Sequence, residues 1–123
     1  MAFVRYLVFD VEKSVKFYTS LLGFELKKNF GRFAMITKDD LEIWVSGPET
    51  TGAMPMPNGD KPVPGGWNRI VVVVENINET VDRLKSEGVV FLNEVLSGVG
   101  GSQVLIEDPS GNPIEIFEWA KRS

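Results

Sequence analysis

The chain repeats itself, and that constrains its fold more than any other feature. Leu7-Val8-Phe9-Asp10-Val11 is echoed by Val73-Val74-Glu75-Asn76-Ile77, with Asp10 and Asn76 lying 66 positions apart. Gly23-Phe24 and Gly88-Val89 are 65 apart, and Leu41-Glu42-Ile43 and Ile114-Glu115-Ile116 are 73 apart. A repeat of this length is a whole supersecondary unit, so one architecture has to be built twice.

The first copy opens with Phe3 to Phe9, apolar apart from Arg5 and rich in β-branched and aromatic residues, which predicts a strand. The Asp10 side chain can accept an orphan N–H of a following helix. Val11, Val15, Tyr18 and Leu22 recur at helical spacing, and Gly23 is a natural stop. Phe24 to Asn29, Phe33 to Thr37 and Leu41 to Ser46 then read as strands, separated by turns at Gly31-Arg32 and Lys38-Asp39-Asp40. In the second copy Asn68 to Val74 is a strand, and Asn76 or Asn78 caps a helix carrying Ile77, Val81 and Leu84. Gly88 stops that helix, and Val89 to Val95, Ser102 to Glu107 and Pro113 to Glu118 follow as strands. Each copy is β-α-β-β-β, which makes the fold class α+β.

The domain organisation expected is one domain over residues 1–123, with modules at 1–47 and 67–123 and a Pro/Gly-rich loop at 48–66. Gly47 to Gly66 holds five of the seven prolines and no apolar period. Such a stretch is a plain connector or, through Met54 and Met56, a soft lid over an apolar ligand. Each module has one helix for one sheet face and leaves the other face to curl around something. Two modules side by side predict an open, barrel-like, cup-shaped mixed sheet with helices outside.

The chain closes on Asp108-Pro109-Ser110-Gly111-Asn112, a tight-turn signal, and then alternates. Ile114 and Ile116 share one strand face; Pro113, Glu115 and Phe117 share the other. The same alternation puts Phe3, Arg5, Phe33, Met35, Glu42 and Trp44 on the cup face of the first module. In the second it puts Arg69, Gln103, Glu115 and Phe117 there, with Trp67 near the rim. An aromatic face carrying a few charged groups is how small-molecule sites are built.

Composition excludes several other functions. The net charge of −4 argues against nucleic acid or an anionic membrane as partner. There is no cysteine, hence no disulfide framework and no thiol nucleophile. No apolar run approaches a membrane span and the N-terminus lacks a signal-peptide layout, so the expected location is cytoplasmic. Histidine is absent too, which removes the usual general base and the commonest metal ligand together.

Val8-Phe9-Asp10-Val11-Glu12-Lys13-Ser14-Val15-Lys16-Phe17-Tyr18 with Leu21-Leu22-Gly23-Phe24, and Asp108 through Glu115, resemble the vicinal oxygen chelate superfamily. It contains glyoxalases, extradiol dioxygenases, and fosfomycin and bleomycin resistance proteins. The resemblance implies paired β-α-β-β-β modules and a homodimer. It also implies four metal-ligand positions, on the first and last strand of each module: Phe3, Glu42, Arg69 and Glu115 here. Phenylalanine cannot ligate a metal, and a guanidinium repels one. The expectation is therefore a chain without a cofactor, in which Arg69 stands for the metal between Glu42 and Glu115. That chain would bind a small hydrophobic or aromatic molecule through Phe3, Arg5, Phe33, Met35, Trp44, Trp67, Arg69, Gln103 and Phe117. The alternative is a divalent-metal lyase, isomerase or dioxygenase with Glu42 and Glu115 as ligands and catalytic candidates, leaving open whether the chain is an enzyme.

Overall fold

Both helices start where a short polar side chain can accept a first-turn N–H. Asp10 Oδ1 accepts the Lys13 N–H at 3.0 Å, and Asn76 Oδ1 accepts that of Glu79 at 3.1 Å. The computed structural model describes residues 2–121. Its first module is β1 (Phe3–Leu7), α1 (Val11–Leu21), β2 (Glu25–Asn29), β3 (Phe33–Lys38) and β4 (Leu41–Ser46). The second is β5 (Ile70–Val73), α2 (Ile77–Ser86), β6 (Val90–Phe91), β7 (Leu96–Ser97), β8 (Gly101–Glu107) and β9 (Pro113–Trp119). Among the described residues no helix is long and apolar enough to cross a membrane.

Hydrogen bonding gives each module its own mixed sheet, in the order β1-β4-β3-β2 and β5-β9-β8-β6, with β7 also on β8. The first strand of each module lies parallel to its last, and the remaining neighbours are antiparallel. One face of the first sheet is dry: Ala34, Ile36, Ile43 and Val45 are buried with Tyr6 beneath α1. In the second, Val72, Val104, Ile106, Ile114 and Ile116 are buried, as are Ile77, Val81 and Leu84 of α2.

Three local features depart from the sequence reading. The stripe buried by α1 is Val11, Ser14, Phe17 and Tyr18, whereas Val15 is half-buried. Ser14 tolerates this because its hydroxyl donates to the Asp10 carbonyl at 2.7 Å. The strand expected over Val89 to Val95 is shortened to β6, and β7 begins only beyond it, at Leu96. Between them Asn93 Oδ1 accepts the Leu105 N–H at 2.9 Å, a side chain taking a ladder position. The opening strand also ends early, at Leu7, because Phe9 donates its N–H to Ser110 Oγ at 2.9 Å.

By contact density the chain forms two compact units. The first runs to Gly65 and takes in Pro109–Asn112; the second spans Gly66–Asp108 and resumes at Pro113. The closing turn therefore has a job in the first unit. Asn112 Nδ2 donates to the Leu7 carbonyl at 2.7 Å, and its Oδ1 accepts the Gly65 N–H at 2.8 Å. The proline-rich stretch folds onto the first unit as well. Gly47 donates to the Arg32 carbonyl at 2.9 Å, and a 3₁₀ turn follows at Thr51–Ala53.

Candidate functional site

On the first sheet, the face away from α1 carries three cross-strand rows. Register sets Phe3 beside Glu42 beside Thr37, Arg5 beside Trp44 beside Met35, and Leu7 beside Ser46 beside Phe33. Trp44 is the centre. Its indole N–H donates to Glu42 Oε2 at 2.8 Å, which fixes the ring at one edge. Phe3 stacks on it at 4.9 Å, and the Arg5 guanidinium lies 5.3 Å from its centroid. Arg5 is fixed in turn by donating from Nη1 to Ser46 Oγ at 2.9 Å.

Over this face lies an open cavity of about 320 Å³, in the size range of small-ligand sites. Phe33, Met35 and Trp44 line it, with Arg5 and Arg32. Glu49, Thr50 and Thr51, from the stretch entering the 3₁₀ turn, complete it. Here the turn packs on Arg5: a Cβ added at Gly52 would fall 2.7 Å from Arg5 Cδ. Four expected ligand residues thus meet at one cavity, and Phe3 braces it from behind Trp44.

Glu42 is nearly inaccessible, yet it is neutralised locally. Strand β2 bulges between Leu26 and Lys28, setting Lys27 as the extra residue. Lys27 Nζ reaches Glu42 Oε1 at 2.8 Å. The Lys27 hydrogen bond, then the Trp44 indole, hold the Glu42 carboxyl below its usual range against the opposing effect of burial. Both oxygens thus have partners within the first module, a lysine and an indole.

In the second module the bridge to Glu115 is made. Arg69 Nε and Nη2 both donate to Glu115 Oε1, at 3.0 and 2.8 Å. Arg69 Nη1 also reaches the Trp67 carbonyl at 3.3 Å. The Glu115 side chain is 10% exposed and that of Arg69 29%. Glu115 Oε2 accepts no hydrogen bond among the described residues. Gln103 and Phe117 are cross-strand partners on the same face, and Phe117 meets Trp119 edge-on at 4.9 Å. The Trp67 side chain is largely exposed.

Residues 1–116 match the model of the Glyoxalase/Bleomycin resistance protein/Dioxygenase superfamily. The chain belongs to that superfamily. Solved structures agree on the fold. A virulence protein of Salmonella typhimurium aligns with TM-score 0.76 at 21% identity, over 98% of this chain and 96% of that one. The fosfomycin resistance protein FosX of Listeria monocytogenes aligns with TM-score 0.74 at 14% identity, over 98% and 93%. Lactoylglutathione lyase of Agrobacterium tumefaciens aligns with TM-score 0.69 at 17% identity, over 95% and 92%. No curated protein matches.

Within this superfamily member the two copies are not chemically equivalent, and strand register shows how. The capped helices set Phe3 against Arg69 and Arg5 against Val71, at the 66-residue offset. Arg5 lies beside Trp44, whereas Val71 lies beside Glu115. Register therefore matches Glu115 with Trp44, two residues beyond the Glu42 that sequence similarity picks out. The turns differ as well: two residues separate the paired ends of β3 and β4, and five those of β8 and β9. The Phe3–Trp44 stack of one module thus corresponds to the Arg69–Glu115 ion pair of the other.

This donor set does not fit a divalent cation. Of the four register-matched positions only Glu115 offers an anionic oxygen, and it already holds a guanidinium. Among the described residues no three acidic side chains cluster as a metal would require. Sequence reasoning missed Lys27, Arg32 and the Glu49–Thr51 segment. A bulge leaves no local signature, and the loop carries no period to say where it folds back.

Proposed function

We propose that this chain is a metal-free member of its superfamily that binds a small hydrophobic or aromatic molecule on the open face of its first sheet. The observation that carries the reading is Trp44: an indole fixed by Glu42 and Phe3, lining a cavity with Phe33 and Met35. A flat apolar surface already held in place takes up a ring at little ordering cost. The chain has no histidine, and among the described residues no three acidic side chains cluster as a metal would require.

The alternative, a metal-dependent lyase, isomerase or dioxygenase using Glu115 and Glu42, is favoured by one feature: Glu115 Oε2 is left for a further partner. Elemental analysis of purified protein, with native mass spectrometry for carried-over ligand, separates the two. A stoichiometric divalent metal would overturn the metal-free reading, and a retained organic mass without metal would support it. The superfamily resemblance also supports a homodimer, as do the edge positions of β1 and β5. Sedimentation at micromolar concentration tests this, and a monomer there counts against it.

A further inference from the structure

The lining of the cavity over the first sheet joins Phe33, Met35 and Trp44 to two arginines, one acid and two threonines. Arg5 uses a single donor, Nη1, on Ser46 Oγ, so most of the fork's five N–H groups remain for a ligand. Arg32 stands at the same cavity, and its guanidinium makes no hydrogen bond or ion pair among the described residues. The single acid in the lining, Glu49, pairs with neither arginine. The nearby Glu42 is already neutralised by Lys27. The lining thus keeps a net positive charge against an aromatic wall.

A guanidinium 5.3 Å from the indole, with a second arginine in the same lining, matches a particular chemistry. A planar fork binds a carboxylate through paired N–H groups more strongly than it binds a neutral oxygen. Trp44, with Phe33 and Met35, supplies an apolar wall for the ring that carries the carboxylate. Two arginines outnumber the one acid in the lining, so a bound anion offsets the excess positive charge.

We infer that the ligand class of this site is a planar aromatic carboxylate, its ring against the wall of Trp44, Phe33 and Met35 and its carboxylate held by Arg5 and Arg32. The inference rests on the binding function proposed above and narrows it. Selectivity then comes from charge as well as shape. An aromatic amine of the same outline is rejected, because its ammonium meets two guanidiniums.

The test is isothermal titration of the full chain with three probes of one shape: 2-naphthoate, 2-naphthalenemethanol and 2-naphthylmethylamine. The expected result is naphthoate binding at least about tenfold tighter than the alcohol, with the amine weakest, as one charge-assisted contact would give. Arg32→Gln should cut naphthoate affinity about five- to tenfold and leave the alcohol unchanged. Arg32→Glu should narrow or reverse the preference over the amine. Arg32 is exposed, so both variants should fold, which circular dichroism checks. Trp44→Ala should weaken acid and alcohol together. Equal affinity for acid and alcohol, or a preference unmoved by both Arg32 variants, overturns the carboxylate assignment while leaving aromatic binding intact. No binding of any probe at millimolar concentration overturns both.

Discussion

Replacing Arg69 by alanine tests whether a protein cation has taken a metal's place at Glu115. Two N–H···O bonds to one carboxylate oxygen are lost, and the side chain left behind is only 10% exposed. Removing one partner of a fully buried pair costs about 3–5 kcal/mol, and of an exposed pair about 0–1 kcal/mol. Arg69 is 29% exposed and Glu115 Oε2 accepts no hydrogen bond among the described residues, so water can partly replace what is lost. The expected cost is about 2 kcal/mol by urea unfolding, or a Tm lower by roughly 8 °C for a chain of this size. Arg69→Met keeps the apolar stem and should cost nearly as much, which separates charge from packing. The double variant with Glu115→Gln should be more stable than the sum of the single losses predicts, with about 1–2 kcal/mol of coupling. Millimolar Mn²⁺ should raise the Tm of Arg69→Ala and leave the parent unmoved, since a carboxylate freed of its guanidinium can take a hard cation. Near-zero coupling, or an equal Mn²⁺ shift in the parent, would falsify the substitution argument.

Three further outcomes follow from named contacts. Glu42 has a lowered carboxyl pKa in the folded chain, so its contribution is complete above the unfolded value near 4.5 and fades as pH falls through the folded one. Lys27→Met removes the largest cause, so the parent-minus-variant stability difference should be flat near neutrality and shrink on acidification; a pH-independent difference refutes this. Asn112→Ala deletes the bonds to Leu7 and Gly65 from a buried side chain and should cost about 2 kcal/mol by the same unfolding assay. A loss below about 0.5 kcal/mol would mean the turn does not brace the first unit. Gly101→Ala should cost more than about 2 kcal/mol, because its Cβ would collide with the Glu118 carbonyl oxygen across the β8–β9 ladder. A folded variant with parental Tm would contradict that geometry.

The elements that local chemistry specifies were legible in the sequence. Asp10 and Asn76 mark both helices because a cap is a contact three residues long. Alternation sorted Arg5, Phe33, Met35 and Trp44 onto one face because side-chain direction in a strand has period two. Register is another matter. It is set by pairing between distant strands, so the match of Glu42 with Glu115 looked natural and was two residues out. The partner of Glu42 was hidden for the same reason: Lys27 reaches it across β3 only because β2 bulges. Asn93 ends the strand drawn through it by bonding a backbone amide twelve residues away, which no window over Val89 to Val95 contains.

The divergence of the two copies bears on what the chain recognises. A carboxylate on a half-dry sheet face has to be neutralised, by a metal, a proton or a protein cation. Each module uses a protein cation, Lys27 in one and Arg69 in the other, and reaches it by a different route. At the matched positions one module carries a carboxylate and the other an indole, so no shared ligand set is maintained between them. The indole is itself oriented by the neutralised Glu42, which makes that carboxylate a support for the aromatic surface. With Glu42 spent on Lys27 and Trp44, the charge presented to the first-module cavity is that of Arg5 and Arg32, offset only by Glu49. For the aromatic carboxylate proposed above, affinity at this face should fall with added salt as the carboxylate contact is screened.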